Sequence, residues 1–247
     1  MPIHYSSRRL TQAATRKARG VIADTWQSQA NLSFFLVLLV VTGFILPSIG
    51  FAKDDLRLYS NIVFSVLLIS GVAIAWGHWK LFVLSGFASI VTLVVRALAL
   101  WKSTLTLELW SDSCSLIAVL IIAFVLLVQV FRAGPVTHLR IQGAIAVYLL
   151  FGVAWAHAYH LAAQLQPGSF NYPPGELSTV GDWIYYSFVT LTTVGYGDIT
   201  PVKQVARNLA IAEALTGQLY LAVMIARLVA MEVITWQDKG HQSSNQP

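Results

Sequence analysis

The sequence predicts an all-α integral membrane protein. Its 247 residues are 56% hydrophobic and only 11% charged, whereas soluble domains carry about 25% charged residues. The mean hydropathy is +0.66. Several apolar stretches of about 18–20 residues are long enough to cross roughly 30 Å of hydrocarbon as helices. The net charge of +5 is concentrated ahead of the first apolar stretch, where it indicates membrane orientation, and we expect no nucleic-acid partner.

Five segments follow from the distribution of apolar and polar residues. Residues 1–32 form a basic arm, and residues 33–131 form a peripheral domain of four transmembrane helices. Residues 132–142 link that domain to residues 143–235, which begin and end with a transmembrane helix. Residues 236–247 form a short tail in which we expect no ligand-binding domain. The six predicted spans and one polar loop are placed as follows: spans at 33–51, 58–76, 81–100, 114–131, 143–161 and 203–235, and the loop at 101–113.

Between the last two spans, a short helix of about 12 residues should begin near a capping box at Thr179 and Asp182 and end at Thr192. It is too short to cross a membrane, so we expect it to be re-entrant and surrounded by protein. The run that follows is Thr193-Val194-Gly195-Tyr196-Gly197-Asp198. Rings of carbonyls facing one axis need left-handed backbone at alternate residues, and glycine adopts that conformation at little cost.

The TVGYGD run resembles the selectivity filter of potassium channels. The resemblance implies six transmembrane helices, a re-entrant pore helix and a filter formed by Thr193 to Asp198. It further implies that K⁺ binds at Thr193, Val194, Gly195 and Tyr196 as the permeant ion, with no other cofactor. Since one chain carries one filter, we infer a homotetrameric pore.

The same resemblance suggests residues that support the filter. Tyr185 and Tyr186 occupy positions that brace the filter within reach of Tyr196, and Trp183 and Thr192 flank them. Asp198 could bond Trp183 or a neighbouring chain. Some members of the family have a carboxylate where this chain has Val189, so a carboxylate pair behind the filter is not expected.

The last helix carries candidate gating residues. Gly217 matches the position of a gating-hinge glycine, and close packing is an equally good reading because a mid-helix glycine costs about 1 kcal/mol. Glu213, an ionisable group at membrane depth, could bond the short helix, for example through Thr190 or Thr192, or carry a pH-sensitive proton. Leu221, Ile225 and Val229 share one face and form either an apolar constriction or part of the core.

The peripheral domain lacks the charges of a voltage sensor. Residues 114–131 contain no basic residue, and moving charge through the field is what makes opening voltage-dependent. Arg96 in the third span could pair with Glu108 or Asp112 or extend outward. His157 and His160, three residues apart, could hold a metal, but no third ligand is evident.

The sequence therefore predicts a potassium-selective channel, not an enzyme, that conducts passively without steep voltage gating. The alternatives are a non-selective cation channel, the membrane subunit of a potassium uptake transporter, and a non-conducting accessory subunit. We expect a multi-pass protein of the cell membrane, prokaryotic inner membrane by type, with both termini cytoplasmic and lipid as its surroundings. The gating stimulus, the direction of flux in the cell, the regulatory partners and the role of residues 33–131 stay open.

Overall fold

The computed structural model describes residues 30–45, 53–75, 79–102, 104–132, 137–172 and 180–244. Nearly all of the predicted basic arm, and Thr179 of the predicted capping box, lie outside these ranges. Where it is described, the chain is almost wholly helical. The helices are α1 (Ala30–Ile45, of which Val41–Ile45 is π-helix), α2 (Lys53–Ile74), α3 (Trp79–Trp101), α4 (Leu105–Val130), α5 (His138–Leu165), α6 (Val180–Leu191) and α7 (Gln204–Ser244).

Four of these helices are long and apolar enough to cross a membrane: α3, α4, α5 and the part of α7 from Gln204 to Met231. Apolar segments in α1 and α2, Ala30–Ile45 and Leu58–Ile74, are shorter. Each of the six predicted spans overlaps one of these helices, and residues 46–51 of the first predicted span lie outside the described residues. The chain is therefore a mostly helical, multi-pass membrane protein.

Three predicted boundaries were wrong. The polar loop expected over 101–113 is helical from Leu105 onward, because Thr104 adopts the extended conformation of an N-cap and Glu108 lies in the first turn, where a carboxylate is favoured. The end of the linker joins α5, whose N-cap is Thr137. The last helix continues to Ser244, into the predicted tail. No proline interrupts the sequence between Pro201 and Pro247, so nothing obliges α7 to stop earlier.

Two of the three buried apolar clusters formed by the described residues connect most of the helices. The first joins α1, α2, α4 and α5 through residues such as Phe35, Leu68 and Leu150. The second surrounds α6 and includes Tyr159 of α5 and Trp183 of α6. Because α5 contributes to both clusters, it connects the peripheral helices to the module formed by α5, α6 and α7.

A pair of two-residue strands joins the chain before α6 to the chain after it. Strand β1 (Phe170–Asn171) pairs antiparallel with β2 (Thr200–Pro201), with Phe170 opposite Pro201. The pairing is extended by the Val202 amide, which donates to the Ser169 carbonyl at 2.8 Å. The TVGYGD segment thus lies between α6 and a fixed attachment point at Thr200.

Candidate functional site

The TVGYGD segment begins as a compact turn on the end of α6. The Thr193 amide donates to the Thr190 carbonyl at 2.9 Å, and the Val194 amide donates to the Val189 carbonyl at 2.9 Å. These bonds satisfy carbonyls in the last turn of α6 that have no partner within the helix. The segment therefore starts directly at the negative end of the α6 dipole, which favours a nearby cation.

The backbone of this segment is left-handed at alternate residues. Gly195 has φ +60° and Gly197 has φ +81°, as the argument from alternating carbonyls requires. Thr193 has φ +59°, although it is not a glycine and pays a conformational cost for this angle. The sequence did not indicate that cost. The three left-handed residues, two positions apart, turn successive carbonyls away from the alternating directions of an ordinary strand.

The side chains of the segment are not covered by the chain's own atoms. Val194 is 52% exposed and Tyr196 is 71% exposed. Large apolar side chains of α7 are exposed as well, among them Leu215 and Leu219. Exposed apolar area of this kind, next to a polar backbone segment, marks a surface that contacts lipid or another protein.

Asp198 is held by the chain itself. The Tyr185 hydroxyl donates to Asp198 Oδ2 at 2.6 Å, and the Ile199 amide donates to Oδ1 at 3.0 Å. The bond from Tyr185 holds the pKa of Asp198 below its ordinary value, and the Ile199 amide acts in the same direction. Asp198 thus bonds Tyr185 and not Trp183, the partner within the chain that the sequence suggested. The Trp183 ring is instead buried in the second apolar cluster.

The two neighbouring tyrosines therefore have different roles. Tyr185 is partly exposed and bonds Asp198, whereas Tyr186 is buried behind the segment. The Tyr186 ring packs edge-on against Tyr159 at 4.7 Å and Phe170 at 5.5 Å between ring centroids. Trp183 completes this aromatic cluster, 4.9 Å from Phe170. Such edge-to-face pairs add to the stability gained by burial, so the cluster fixes α6 against α5 and β1.

Glu213 of α7 is completely buried, at 0% exposure, and connects three helices. It accepts a hydrogen bond from the Tyr159 hydroxyl of α5 and another, at 2.5 Å, from the Ser187 hydroxyl of α6. The predicted partner helix was right and the predicted residues were wrong. Thr190 and Thr192 donate to helix carbonyls, at Tyr186 and Phe188. Ser187 could have been found as a serine on the buried face of α6 that Ile184, Phe188 and Leu191 define.

Gly217, one turn beyond Glu213, lies against the end of α6. A Cβ atom at this position would be 2.3 Å from the Leu191 carbonyl oxygen, well inside contact distance. Leu191 is the last residue of α6 and lies two positions before Thr193, where the TVGYGD segment begins. Close packing, one of the two roles considered for Gly217, therefore has a direct structural basis.

The apolar stripe of α7 is exposed throughout. Leu221, Ile225 and Val229 are 41%, 62% and 58% exposed, so the chain does not bury them in its own core. A constriction formed by this stripe would need further copies of the chain, and it stays a prediction.

A buried polar cluster fastens the peripheral helices to α5. Asp112 Oδ1 lies 3.2 Å from His157 Nδ1, and Asp112 Oδ2 lies 2.9 Å from His160 Nδ1. Gln164 also donates to Asp112, at 2.9 Å. The two histidines thus face a carboxylate from α4. Among the described residues, no group of histidine, cysteine and carboxylate ligands has the arrangement of a metal site.

Arg96 is buried beside this cluster and does not extend outward. Its Nε donates to Asn61 at 2.8 Å and its Nη1 donates to Ser115 at 3.0 Å. The guanidinium also lies over the Phe64 ring, 4.4 Å from the centroid, which is a favourable cation–π distance. Side chains of two neighbouring helices, α2 and α4, therefore hold this cation in place.

Comparison with known proteins assigns the α5–α7 module. Residues 144–233 match the family described as ion channel. Over 83 residues the chain is 34% identical to the two pore potassium channel c of Oryza sativa subsp. japonica, and over 87 residues it is 31% identical to the voltage-gated potassium channel of Aeropyrum pernix. These segments cover 34% and 35% of this chain. The α5–α7 module is therefore similar to the ion channel family and to these two potassium channels.

A third relative adds to the likeness without naming an activity. Over 81 residues, 33% of its length, this chain is 37% identical to protein LctB of Geobacillus stearothermophilus. The matches cover 58% of protein LctB, 17% of the rice channel and 30% of the Aeropyrum channel. The chain therefore spans less than two thirds of each of these relatives. The family match begins at residue 144, and α1 to α4 lie outside it.

Proposed function

We propose that the protein is a potassium-selective channel in which four copies form one pore and K⁺ moves passively down its gradient. The observation that carries this proposal is the left-handed backbone at Thr193, Gly195 and Gly197, placed at the C-terminal end of α6. Carbonyls from four such segments would replace the hydration shell of the ion at Thr193, Val194, Gly195 and Tyr196. The helix ends of four subunits would favour a cation beneath them.

Assembly into a tetramer would account for the exposed apolar surfaces of the TVGYGD segment and α7. Val194, Tyr196 and the apolar face of α7 have no cover within the chain, and four-fold association would bury part of them. The relatives named as potassium channels support this assignment for the α5–α7 module. We further propose six membrane-crossing helices with both termini in the cytoplasm of a prokaryotic cell.

Weak voltage dependence follows from the charges of the peripheral helices. Helix α4 contains no lysine or arginine, and Arg96 of α3 is bonded to Asn61 and Ser115. A charge that is fixed in this way does not travel through the field, so it contributes little gating charge.

The test is ion flux through the purified protein in liposomes, with K⁺ inside, Na⁺ outside and the voltage set by an ionophore. Strong preference for K⁺, block by Ba²⁺ and loss of flux in Gly195→Asp would support the proposal. Equal passage of Na⁺ would favour a non-selective cation channel. Uptake against a gradient that needs further subunits would favour a transporter subunit, and unchanged background flux in Gly195→Asp would favour an accessory role.

A further inference from the structure

One side chain of α7 links this helix to the first residue of the TVGYGD segment. Gln218 follows Gly217 directly, and its Nε2 donates a hydrogen bond to Thr193 Oγ1 at 3.3 Å. Gly217 lies against the Leu191 carbonyl, and this close approach brings the next residue of α7 within reach of Thr193. The contact is thus a consequence of how α7 packs on the end of α6.

Gln218 also belongs to the exposed stripe of α7. It precedes Ile225 by seven residues, which is nearly two full turns of an α-helix, and it precedes Leu221 by three. The other members of the stripe, Leu221, Ile225 and Val229, are apolar and exposed. Gln218 is therefore the polar end of an apolar face, and that end is the one next to the TVGYGD segment.

The Thr193 hydroxyl is used differently from the hydroxyls of its neighbours. Thr190 Oγ1 donates to the Tyr186 carbonyl at 2.9 Å, and Thr192 Oγ1 donates to the Phe188 carbonyl at 2.6 Å. Both side chains are turned back toward α6. Thr193 Oγ1 instead accepts from Gln218. A hydroxyl oxygen has two lone pairs, so one remains available to a cation while the amide fixes the direction of the other.

We propose that Gln218 is a positioning residue for ion binding: it fixes the Thr193 hydroxyl so that its oxygen faces a cation at the α7 end of the selectivity filter. The inference rests on the proposed function, because the cation site needs four copies of the chain. Without the amide, the Thr193 hydroxyl would be free to turn and donate to a carbonyl, as Thr190 and Thr192 do. Its oxygen would then leave the ion site.

The experiment compares Gln218→Leu with Gln204→Leu in liposome flux, with Ba²⁺ as the probe. Gln204 is on the same helix and donates to Asn208 at 2.8 Å. Its replacement by leucine therefore also removes an amide donor, but one that does not contact Thr193. Gln218→Leu should weaken Ba²⁺ block roughly five- to tenfold, as expected for one lost hydrogen bond, while maximal K⁺ flux changes less. Gln204→Leu should leave block unchanged. Equal block in the two variants would overturn the inference.

Thr193→Val provides the second arm, because valine keeps the shape of threonine and removes the hydroxyl. If Gln218 acts through that hydroxyl, adding Gln218→Leu to Thr193→Val should not weaken Ba²⁺ binding further. Full additivity would contradict the inference. Protection of the assembled protein against heating by Ba²⁺ reports binding even in variants that do not conduct. If the unaltered protein passes no K⁺ and gains no such protection, the proposed function itself fails; normal K⁺ flux with unaltered block in Gln218→Leu removes only the role of Gln218.

Discussion

The Cα of Gly217 faces the carbonyl oxygen of Leu191 so closely that a Cβ atom would lie 2.3 Å from that oxygen. The contact joins the middle of α7 to the last residue of α6. Glu213 bonds Ser187 one turn earlier, and Gln218 bonds Thr193 one residue later. These three contacts hold α7 against α6 and against the start of the TVGYGD segment. A movement of α7 at this level would therefore displace that segment.

Gly217→Ala should destabilise the protein and reduce K⁺ flux. The neighbour that the new methyl group meets is a backbone carbonyl, which cannot rotate away, and overpacking of this kind costs about 1–3 kcal/mol. The better helix propensity of alanine offsets about 1 kcal/mol of that cost. Gly86→Ala is the control, because a Cβ atom there would be 3.8 Å from the nearest side-chain carbon. Thermal unfolding in detergent measures both, and equal stability would contradict the packing role.

Ser187→Ala should lower thermal stability and weaken the preference for K⁺ over Na⁺. The substitution removes a hydrogen bond to a fully buried carboxyl group, and leaving a buried acceptor with one partner fewer costs about 1–3 kcal/mol. Ser113→Ala serves as the control, because Ser113 donates to the Leu109 carbonyl of its own helix. We expect that control to retain selectivity and nearly all of its stability. A selectivity loss of equal size in both variants would remove the special role of Ser187.

Tyr185→Phe should make the protein more sensitive to acid. The Tyr185 hydroxyl holds the pKa of Asp198 below its ordinary value, so the phenylalanine variant should return that pKa toward the usual range. A carboxyl group whose pKa is lowered in the folded state stabilises the fold at pH values above its ordinary pKa. That stabilisation is lost as the pH falls through the lowered, folded-state pKa. The pH midpoint at which flux declines should therefore move upward. Tyr172→Phe, at an exposed tyrosine, should leave the midpoint unchanged; a shift in neither variant would exclude Asp198 as the titrating group.

Arg96→Gln should affect stability and not voltage dependence. Removing the guanidinium leaves Asn61 and Ser115 without their donor, at a cost of about 1–3 kcal/mol. Because Arg96 is held by neighbouring helices, we expect the slope of flux against voltage to stay shallow and unchanged. The measurement is K⁺ flux at several imposed potentials, together with thermal unfolding. A steep slope in the unaltered protein that flattens in Arg96→Gln would identify Arg96 as a moving charge.

Much of the site follows from local sequence. The alternation of Gly195 and Gly197 implied left-handed backbone, and both residues adopt it. The length of α6, 12 residues, was expected as well. Turn-forming residues precede this apolar helix in the sequence and a glycine-rich run follows it, so the flanking residues largely determine where it begins and ends. These features depend on residues close together in the chain, where backbone sterics and helix termination decide the outcome.

What could not be predicted depends on residues far apart. The bonds of Glu213 to Tyr159 and Ser187 require a particular rotation of three packed helices, and sequence periodicity does not give that rotation. Asp112 meets His157 for the same reason. The length of α4 was missed because its first turns are polar, and packing against α5 overrides weak local preference. Which polar side chains pair with each other between helices is thus decided by tertiary packing and not by local sequence.

The strand pair β1–β2 makes the chain between Asn171 and Thr200 a closed loop. Its two ends are paired, with Asn171 opposite Thr200, and α6 within it has its own contacts with α5 and α7. The TVGYGD segment is therefore anchored on both sides, by α6 before it and by β2 after it. A displacement of either anchor would reach the segment through a short stretch of covalent backbone.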